Sequence, residues 1–147
     1  MKDNLIIRKV SVRSGAISGF IASLISSIVL IILTALIVIP QFNYVSIYGS
    51  LVGVTDNAIA AWIVYFIIGT FVWGILYAFT HEYLPDENFV TKGMVFGLAV
   101  WVFLMIILMP LAGQSVFLRE FGYSAAGITL IAQLIFGIVL AWTYEKI

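Results

Sequence analysis

The chain has a single histidine, and it lies beside the densest group of acidic residues. His81 is followed by Glu82, Asp86 and Glu87 within a short polar segment. An imidazole and several carboxylates can bind a divalent metal ion, but these residues do not follow the fixed spacing of a metal motif. The simpler interpretation is a solvated histidine at a membrane surface. His81 is therefore a weak metal candidate, and we predict no metal ion or other cofactor.

The long apolar runs of the chain offer little for chemistry. They contain no Asp, Glu, Arg or His, and such groups are the usual mark of a functional site within a membrane. Serine and threonine can donate to carbonyls of their own helix and are uninformative. Gln133 is the exception, because its amide needs partners inside a bundle, and Tyr65 is the partner that we expect. We predict that Gln133 links helices by hydrogen bonds, with contact to a substrate as the alternative.

The composition is typical of a membrane protein. Hydrophobic residues make up 63% of the sequence and charged residues 10%, against about 25% charged residues in soluble domains. The net charge of zero leaves no basic face for nucleic acid. The absence of cysteine excludes disulfides and thiolate metal sites, and no serine triad or phosphate-binding glycine loop is recognisable. We predict that the protein is not an enzyme by itself.

Four apolar runs are long enough to cross the hydrocarbon core, which takes about 20 helical residues. The runs cover residues 15–39, 58–79, 91–111 and 124–144. Asp56 or Asn57 is expected to cap the second helix, and Ser124 the fourth. The first run is longer than the hydrophobic region of a cleaved signal peptide, which has about 7–15 residues. The sequence therefore predicts an all-α integral membrane four-helix bundle, a single transmembrane domain over residues 1–147.

The basic residues predict the orientation of these helices. All of them fall in segments on one side of the membrane except Arg119, which falls on the other. By the positive-inside rule, both termini face the cytoplasm of a multi-pass protein in the cell (plasma or inner) membrane. This assignment depends on Arg8, Lys9, Arg13 and Lys92. The basic segment 1–14 is either a topology signal alone or a segment that lies on anionic lipid.

Small residues recur at close spacing along the helices. The set comprises Gly15, Gly19, Ser23, Ser27, Gly69, Gly93, Gly97, Gly137 and Ala141. Burial between helices gains little for apolar side chains in lipid, so close backbone packing matters more there. We predict that these residues pack helices inside the bundle, with an interface to another subunit as the alternative.

The two halves of the sequence resemble each other. A G-x-x-x-G motif opens both the first and the third helix, and these two helices end at Pro40 and Pro110. The pattern predicts two repeated helical hairpins that are related by an axis along the membrane normal. Chance similarity between glycine-rich helices is the alternative.

The two outer segments are apolar for their position. Residues 40–57 contain Tyr44, Ile47, Tyr48 and Leu51, and aqueous exposure would leave these side chains without apolar contacts. We expect this segment to lie among lipid headgroups or against a partner. Residues 111–123 are expected to form a single helical turn parallel to the membrane.

One set of glycines, prolines and aromatic residues runs through most of the chain: Gly15, Gly19, Pro40, Gly69, Gly74, Tyr77, Lys92, Gly93, Gly97, Pro110, Gly113, Phe117 and residues 137–144. In this set the chain resembles small, uncharacterised four-span bacterial and archaeal membrane proteins of the YagU-like type. Members of that group carry histidine where this chain has Tyr65 and Gln133, so no haem or metal role is carried over. The resemblance implies a four-helix fold and almost no function.

Two functions are compatible with these features. The first is an accessory or scaffolding subunit of a larger membrane complex, which would have membrane lipids and other membrane protein subunits as partners. The second is a small transporter or channel that acts as a homo-oligomer, although no ring of charges for ion selection is present. A lipid-modifying enzyme or a haem-binding electron carrier is a third class, but it lacks catalytic residues and axial ligands.

Overall fold

Helices form the regular structure of the described part of the chain. The computed structural model describes residues 10–39, 42–54, 56–85 and 88–147, and no strand occurs in these ranges. Its helices are α1 (Val12–Leu36), α2 (Tyr44–Ser50), α3 (Ala58–Tyr83), α4 (Phe89–Leu111) and α5 (Tyr123–Lys146), with a 3₁₀ segment at Val116–Phe121. The helices α1, α3, α4 and α5 are long and apolar enough to cross a membrane. At the level of length and composition, the prediction of four such helices is confirmed.

Two of the predicted N-caps have different outcomes. Asn57 caps α3, because its side chain accepts a hydrogen bond from the Ala60 N–H at 3.1 Å. Ser124 does not cap α5, since Gly122 precedes that helix with a φ of 83°. The turn before α5 requires this left-handed conformation, which glycine adopts at little steric cost. The prediction was therefore right for Asn57 and wrong for Ser124.

The first helix begins and ends earlier than the predicted range 15–39. It starts at Val12 because the Ser11 side chain accepts a hydrogen bond from the Ser14 N–H at 3.1 Å. It ends at Leu36, where Ile37 already has an extended backbone. A serine cap explains this start, because it satisfies one of the free N–H groups of the first turn.

Both α3 and α4 contain a π-helical segment within their length. These segments are Ile68–Trp73 in α3 and Leu104–Leu108 in α4. In α4 the wider turn precedes Pro110, which lacks an N–H and would clash with the preceding turn of a regular α-helix. The helix therefore continues through Pro110 and ends at Leu111.

The fifth helix holds the bundle together. It packs against both α1 and α4, while α3 packs against α1. The Ser26 hydroxyl of α1 donates to the Ala132 carbonyl of α5 at 3.0 Å, and the Trp101 indole N–H of α4 donates to the Thr129 hydroxyl of α5 at 3.1 Å. Burial agrees with this central position. Within an apolar stretch of 18 residues in each helix, 50% of α5 is buried inside the protein, whereas 22% of α3 is.

The short helix α2 folds back into the bundle. It is capped by Asn43, whose side chain accepts from the Ser46 N–H at 3.2 Å, and it packs against α3. Tyr44, Ile47 and Tyr48 are all buried within the chain itself. These three side chains are therefore already covered by α3 and its neighbours, while the position of the segment among lipid headgroups or against a partner stays a prediction.

The segment between α4 and α5 is a strained turn rather than a regular helix. Phe117 and Leu118 have left-handed backbone angles, with φ of 57° and 52°. Bulky residues rarely adopt this conformation. Leu118 is fully buried and Phe117 packs on Trp101 with ring centroids 5.4 Å apart, and these contacts hold the turn in place.

Candidate functional site

One small cavity inside the bundle is lined by polar and aromatic side chains from four helices. Its lining comprises Ser23 of α1, Tyr48 of α2, Tyr65, Ile68, Gly69 and Trp73 of α3, and Gln133 and Phe136 of α5. The volume of about 10 Å³ is close to the smallest space that holds one water molecule. This cavity is the best candidate for a functional site inside the protein.

Tyr65 and Gln133 both line this cavity, as the sequence led us to expect of a related pair. Each side chain is 8% exposed. Within the described ranges, however, no hydrogen bond joins them, so Tyr65 is not the direct partner that we expected for the Gln133 amide. Both side chains line the space between their helices instead, and a water molecule there could bridge them.

Trp73 belongs to the same cavity, and the sequence analysis did not assign it to a site. Its side chain is 8% exposed, and its indole N–H has no hydrogen-bond partner. The ring packs edge-on against Phe103, with centroids 5.6 Å apart. A tryptophan in the middle of a membrane helix carries one donor that needs a partner. That property was a signal in the sequence that Trp73 needs a polar partner, although it did not show which residue of another helix lies nearby.

Two tyrosines of α2, of which Tyr48 lines the cavity, form a hydrogen-bonded pair. The hydroxyls of Tyr44 and Tyr48 are 2.9 Å apart, and the Tyr48 ring packs edge-on against Tyr65 with centroids 5.2 Å apart. Burial raises the pKa of Tyr44 and raises the pKa of Tyr48 well above the ordinary value of a phenol. Both groups therefore stay neutral at physiological pH and serve as hydrogen-bonding groups, not as a base.

Glycines let the backbones of α1 and α3 approach closely. A β-carbon at Gly15 would lie 2.6 Å from the carbonyl oxygen of Gly74, and one at Gly19 would lie 2.6 Å from that of Gly69. Gly69 itself faces the Ser23 hydroxyl. No larger residue fits at these positions unless the helices move apart.

A second group of glycines lies between α4 and α5. A β-carbon at Gly93 would lie 2.6 Å from the carbonyl oxygen of Gly137, and one at Gly97 would lie 2.6 Å from that of Gln133. Ala141 is fully buried one turn further along α5. Gly15, Gly19, Gly93 and Gly97 thus lie where two helix backbones meet.

The predicted serines of α1 make local hydrogen bonds. The Ser23 hydroxyl donates to the Gly19 carbonyl at 2.8 Å, and the Ser27 hydroxyl donates to the Leu24 carbonyl at 2.7 Å. The sequence analysis placed these two serines in the packing set and did not include Ser26, which bonds to α5. Its bond to α5 depends on a neighbouring helix, which no pattern within α1 reveals.

His81 is buried, which corrects the interpretation of a solvated histidine. Its side chain is 3% exposed, and Nδ1 lies 2.8 Å from the Ala78 carbonyl oxygen, to which the Nδ1–H donates. The ring packs against Tyr77 and Tyr144, with the Tyr144 centroid 4.8 Å away. Burial results because the last turns of α3 and α5 meet at this end of the bundle.

The metal candidacy of His81 receives no support from its surroundings. No cluster of three His, Cys, Asp or Glu side chains suited to a metal ion occurs in the part of the chain that the structure describes. Asp86 and Glu87 lie outside that part. The Nε2 atom of His81 is buried without a partner, so a ligand at this position would have to enter a closed aromatic cluster.

The basic residues of the topology prediction are only partly described. Arg13 is exposed in the first turn of α1, and Lys92 lies in the first turns of α4. Because contacts at both ends show that α1 and α4 run antiparallel to α5, these two residues lie at the same end of the bundle. Arg8 and Lys9 lie outside the described residues.

Comparison with known protein families identifies the family of this chain. Residues 9–147 match the model of a family of unknown function, DUF6789. The chain belongs to this family. No curated protein and no solved structure matches the chain.

The site of this DUF6789 protein offers neutral hydrogen-bonding groups and very little space. An amide, an indole and phenols can orient one water molecule or strengthen helix contacts. An organic cofactor does not fit in a volume of about 10 Å³, and the described lining carries no carboxylate, imidazole or thiolate that would bind a metal ion. The geometry is therefore that of a packed polar core.

Proposed function

We propose that this DUF6789 protein is an accessory or scaffolding subunit of a larger membrane complex and has no enzymatic activity of its own. The observation that carries the proposal is the filled interior. Backbone contacts at glycines close both helix pairs, and the central cavity has room for about one water molecule. A core of this kind supports a role for the outer surface of the bundle rather than for its inside.

The outer face of α1 and α3 is the surface on which a partner helix would dock. A groove of about 630 Å³ is open along this face. It is lined by Phe20, Leu24, Ile59, Trp62, Ile63, Phe66, Ile67, Thr70 and Phe71. Large aromatic and branched side chains can interlock with a transmembrane helix, and van der Waals packing is a main source of such association in lipid. Lipid chains are the competing occupant.

Crosslinking and native mass analysis test this proposal. The protein is purified from its native membrane in mild detergent, with a photoreactive amino acid at Ile63 in the groove or at Ile106 as the control. Both positions are about half exposed, at 53% and 47%, but Ile106 lies on α4. We expect partner adducts from Ile63 only. A lone species of 16.2 kDa without adducts would contradict the proposal.

A homo-oligomeric transporter or channel is the second candidate. It is favoured by the polar cavity, by the buried helix α2 beside it, and by the π-helical segment of α3 that contributes Trp73, since π-bulges often occur at functional sites. Flux of small neutral solutes into proteoliposomes tests it, with Gln133→Leu against the control Ile106→Leu. Flux above empty vesicles that Gln133→Leu abolishes would support this function and contradict a purely structural one.

We also infer that both termini face the cytoplasm of the cell membrane. The basic ends of α1 and α4 support this orientation. Because the chain has no cysteine, single cysteines can report it. We expect an impermeant maleimide to label Tyr123→Cys in intact cells, and Val10→Cys only after permeabilisation. The reverse pattern would contradict the orientation.

The repeated hairpin is a further part of the proposal. The feature that supports it is a pair of glycines, in each half, at which two helices approach closely. The pair is Gly15 and Gly19 in the first half and Gly93 and Gly97 in the second. The resemblance to YagU-like proteins also stays a prediction. If the halves are equivalent, glycine-to-alanine changes at the two crossings should lower stability by similar amounts.

A further inference from the structure

A second cavity lies at the other end of the bundle from Arg13, between α4, α5 and the strained turn that joins them. This groove of about 560 Å³ is lined by Trp101, Phe117, Arg119, Gly122, Tyr123 and Ala126. The Trp101 indole N–H is already bonded to Thr129. Most of the lining is therefore apolar or aromatic, and Arg119 provides its one positive charge.

The Arg119 guanidinium does not pair with its acidic neighbour. Both carboxylate oxygens of Glu120 accept the Ser115 N–H at 3.2 Å, and the Glu120 N–H donates to the Ser115 hydroxyl at 3.4 Å. The carboxylate is thus held against its own turn. Within the described ranges, the Arg119 guanidinium has no hydrogen bond or ion pair. A guanidinium without an ion-pair partner among the described residues therefore lies at the edge of an apolar groove.

The turn itself holds this arrangement in place. Leu118 is fully buried next to Arg119, and Phe117 packs against Trp101. Phe121 packs edge-on against Phe42, with ring centroids 5.2 Å apart. A strained backbone persists only where surrounding contacts determine it, and it is often found at ligand sites. The groove is therefore formed by the fold before any ligand is present.

We propose that this groove binds a phospholipid, with the phosphate on Arg119 and an acyl chain along Trp101, Phe117 and Ala126. Arginine is well suited to phosphate because its planar fork can donate two parallel hydrogen bonds. The groove lies where α4 ends and α5 begins, which is the depth of headgroups for helices that cross a bilayer. A free phosphate ion would match Arg119 alone, whereas a phospholipid also matches the apolar lining.

Lipid titration of the full-length protein tests this assignment. Dioleoylphosphatidylglycerol, dioleoylglycerol and inorganic phosphate are added separately to protein in a neutral detergent, and bound lipid and thermal stability are measured. We expect the phospholipid to bind and to raise the Tm. Dioleoylglycerol, which lacks the phosphate, and inorganic phosphate, which lacks the chains, should have little effect. An equal effect of either control would overturn the assignment.

Substitutions locate the site. Arg119→Gln should weaken phosphatidylglycerol binding by about five- to tenfold, as expected for the loss of a charged hydrogen-bonding group at a partly solvated position. Ala126→Phe should also weaken binding, because it fills the groove while Arg119 is kept. Arg13→Gln, at the opposite end of the bundle, is the matched control and should bind as wild type. Arg119 and Arg13 are both exposed, so neither change should prevent folding. Wild-type binding by Arg119→Gln would exclude the proposed site.

Discussion

The backbone of Gly15 lies directly against the carbonyl of Gly74. A β-carbon at Gly15 would stand 2.6 Å from that oxygen and 3.0 Å from the β-carbon of Ala78. Both distances are shorter than ordinary van der Waals contacts between these atoms. This contact joins the first turn of α1 to the second half of α3. It sets the distance between the two helix backbones where they cross.

Gly15→Ala should therefore destabilise the bundle. Space at this position can be made only by moving α1 away from α3, and overpacking of this kind typically costs about 1–3 kcal/mol in the free energy of unfolding. Thermal or denaturant unfolding in detergent measures the change. The control is Gly127→Ala in α5, where an added β-carbon meets nothing within 4 Å. That control should be neutral or stabilising by up to about 1 kcal/mol, because alanine favours helix more than glycine does. Equal effects of the two changes would contradict the close crossing.

Tyr44 and Tyr48 should behave as a coupled pair. Tyr48→Phe leaves the buried Tyr44 hydroxyl without its partner, so we expect a loss of about 1–3 kcal/mol. The double variant removes both hydroxyls and should cost less than the sum of the two single changes. Unfolding of the four proteins in the cycle gives the interaction energy. Additive losses would mean that the hydroxyl contact contributes nothing.

The same pair should make stability fall at high pH. Burial raises the pKa of Tyr44 and of Tyr48 above the value of 10.0 for an exposed phenol. The folded state therefore holds these protons more tightly than the unfolded state does. Their contribution is complete below pH 10 and is lost as the pH rises above it toward the folded-state pKa values. Thermal unfolding between about pH 9 and about pH 11.5 should show a steeper fall for wild type than for the Tyr44→Phe, Tyr48→Phe double variant. Parallel curves would argue against this linkage.

An apolar replacement of Gln133 should change the free energy of unfolding little, whereas a charged one should lower it strongly. Gln133→Leu keeps a similar shape and leaves no new buried polar atom on α5, so we expect a change within about 1 kcal/mol. Gln133→Glu places a charge in a neutral, nearly closed core, and we expect a loss of about 3–5 kcal/mol at neutral pH. Unfolding in detergent compares the two. Similar stabilities would indicate that water reaches the cavity freely.

Much of the architecture could be predicted from local patterns. The four long helices follow from apolar runs whose length matches the hydrocarbon core, and the start of α3 follows from Asn57. Gly15, Gly19, Gly93 and Gly97 also stood out, because small residues spaced four apart lie on one side of a helix. These features depend only on residues that are close together in the chain.

Only the tertiary structure decided which side chains meet. Tyr48, Trp73 and Gln133 come from three helices, so no spacing along the chain connects them with the same cavity. His81 lies in a polar segment of the kind that is usually exposed, yet it is buried because Tyr77 and Tyr144 pack against it. The sequence by itself determined which segments are long and apolar enough to cross a membrane, since that depends on the composition of each segment alone. It did not determine the burial of α2 or the groove beside Arg119, since these depend on how separate segments pack once they are there.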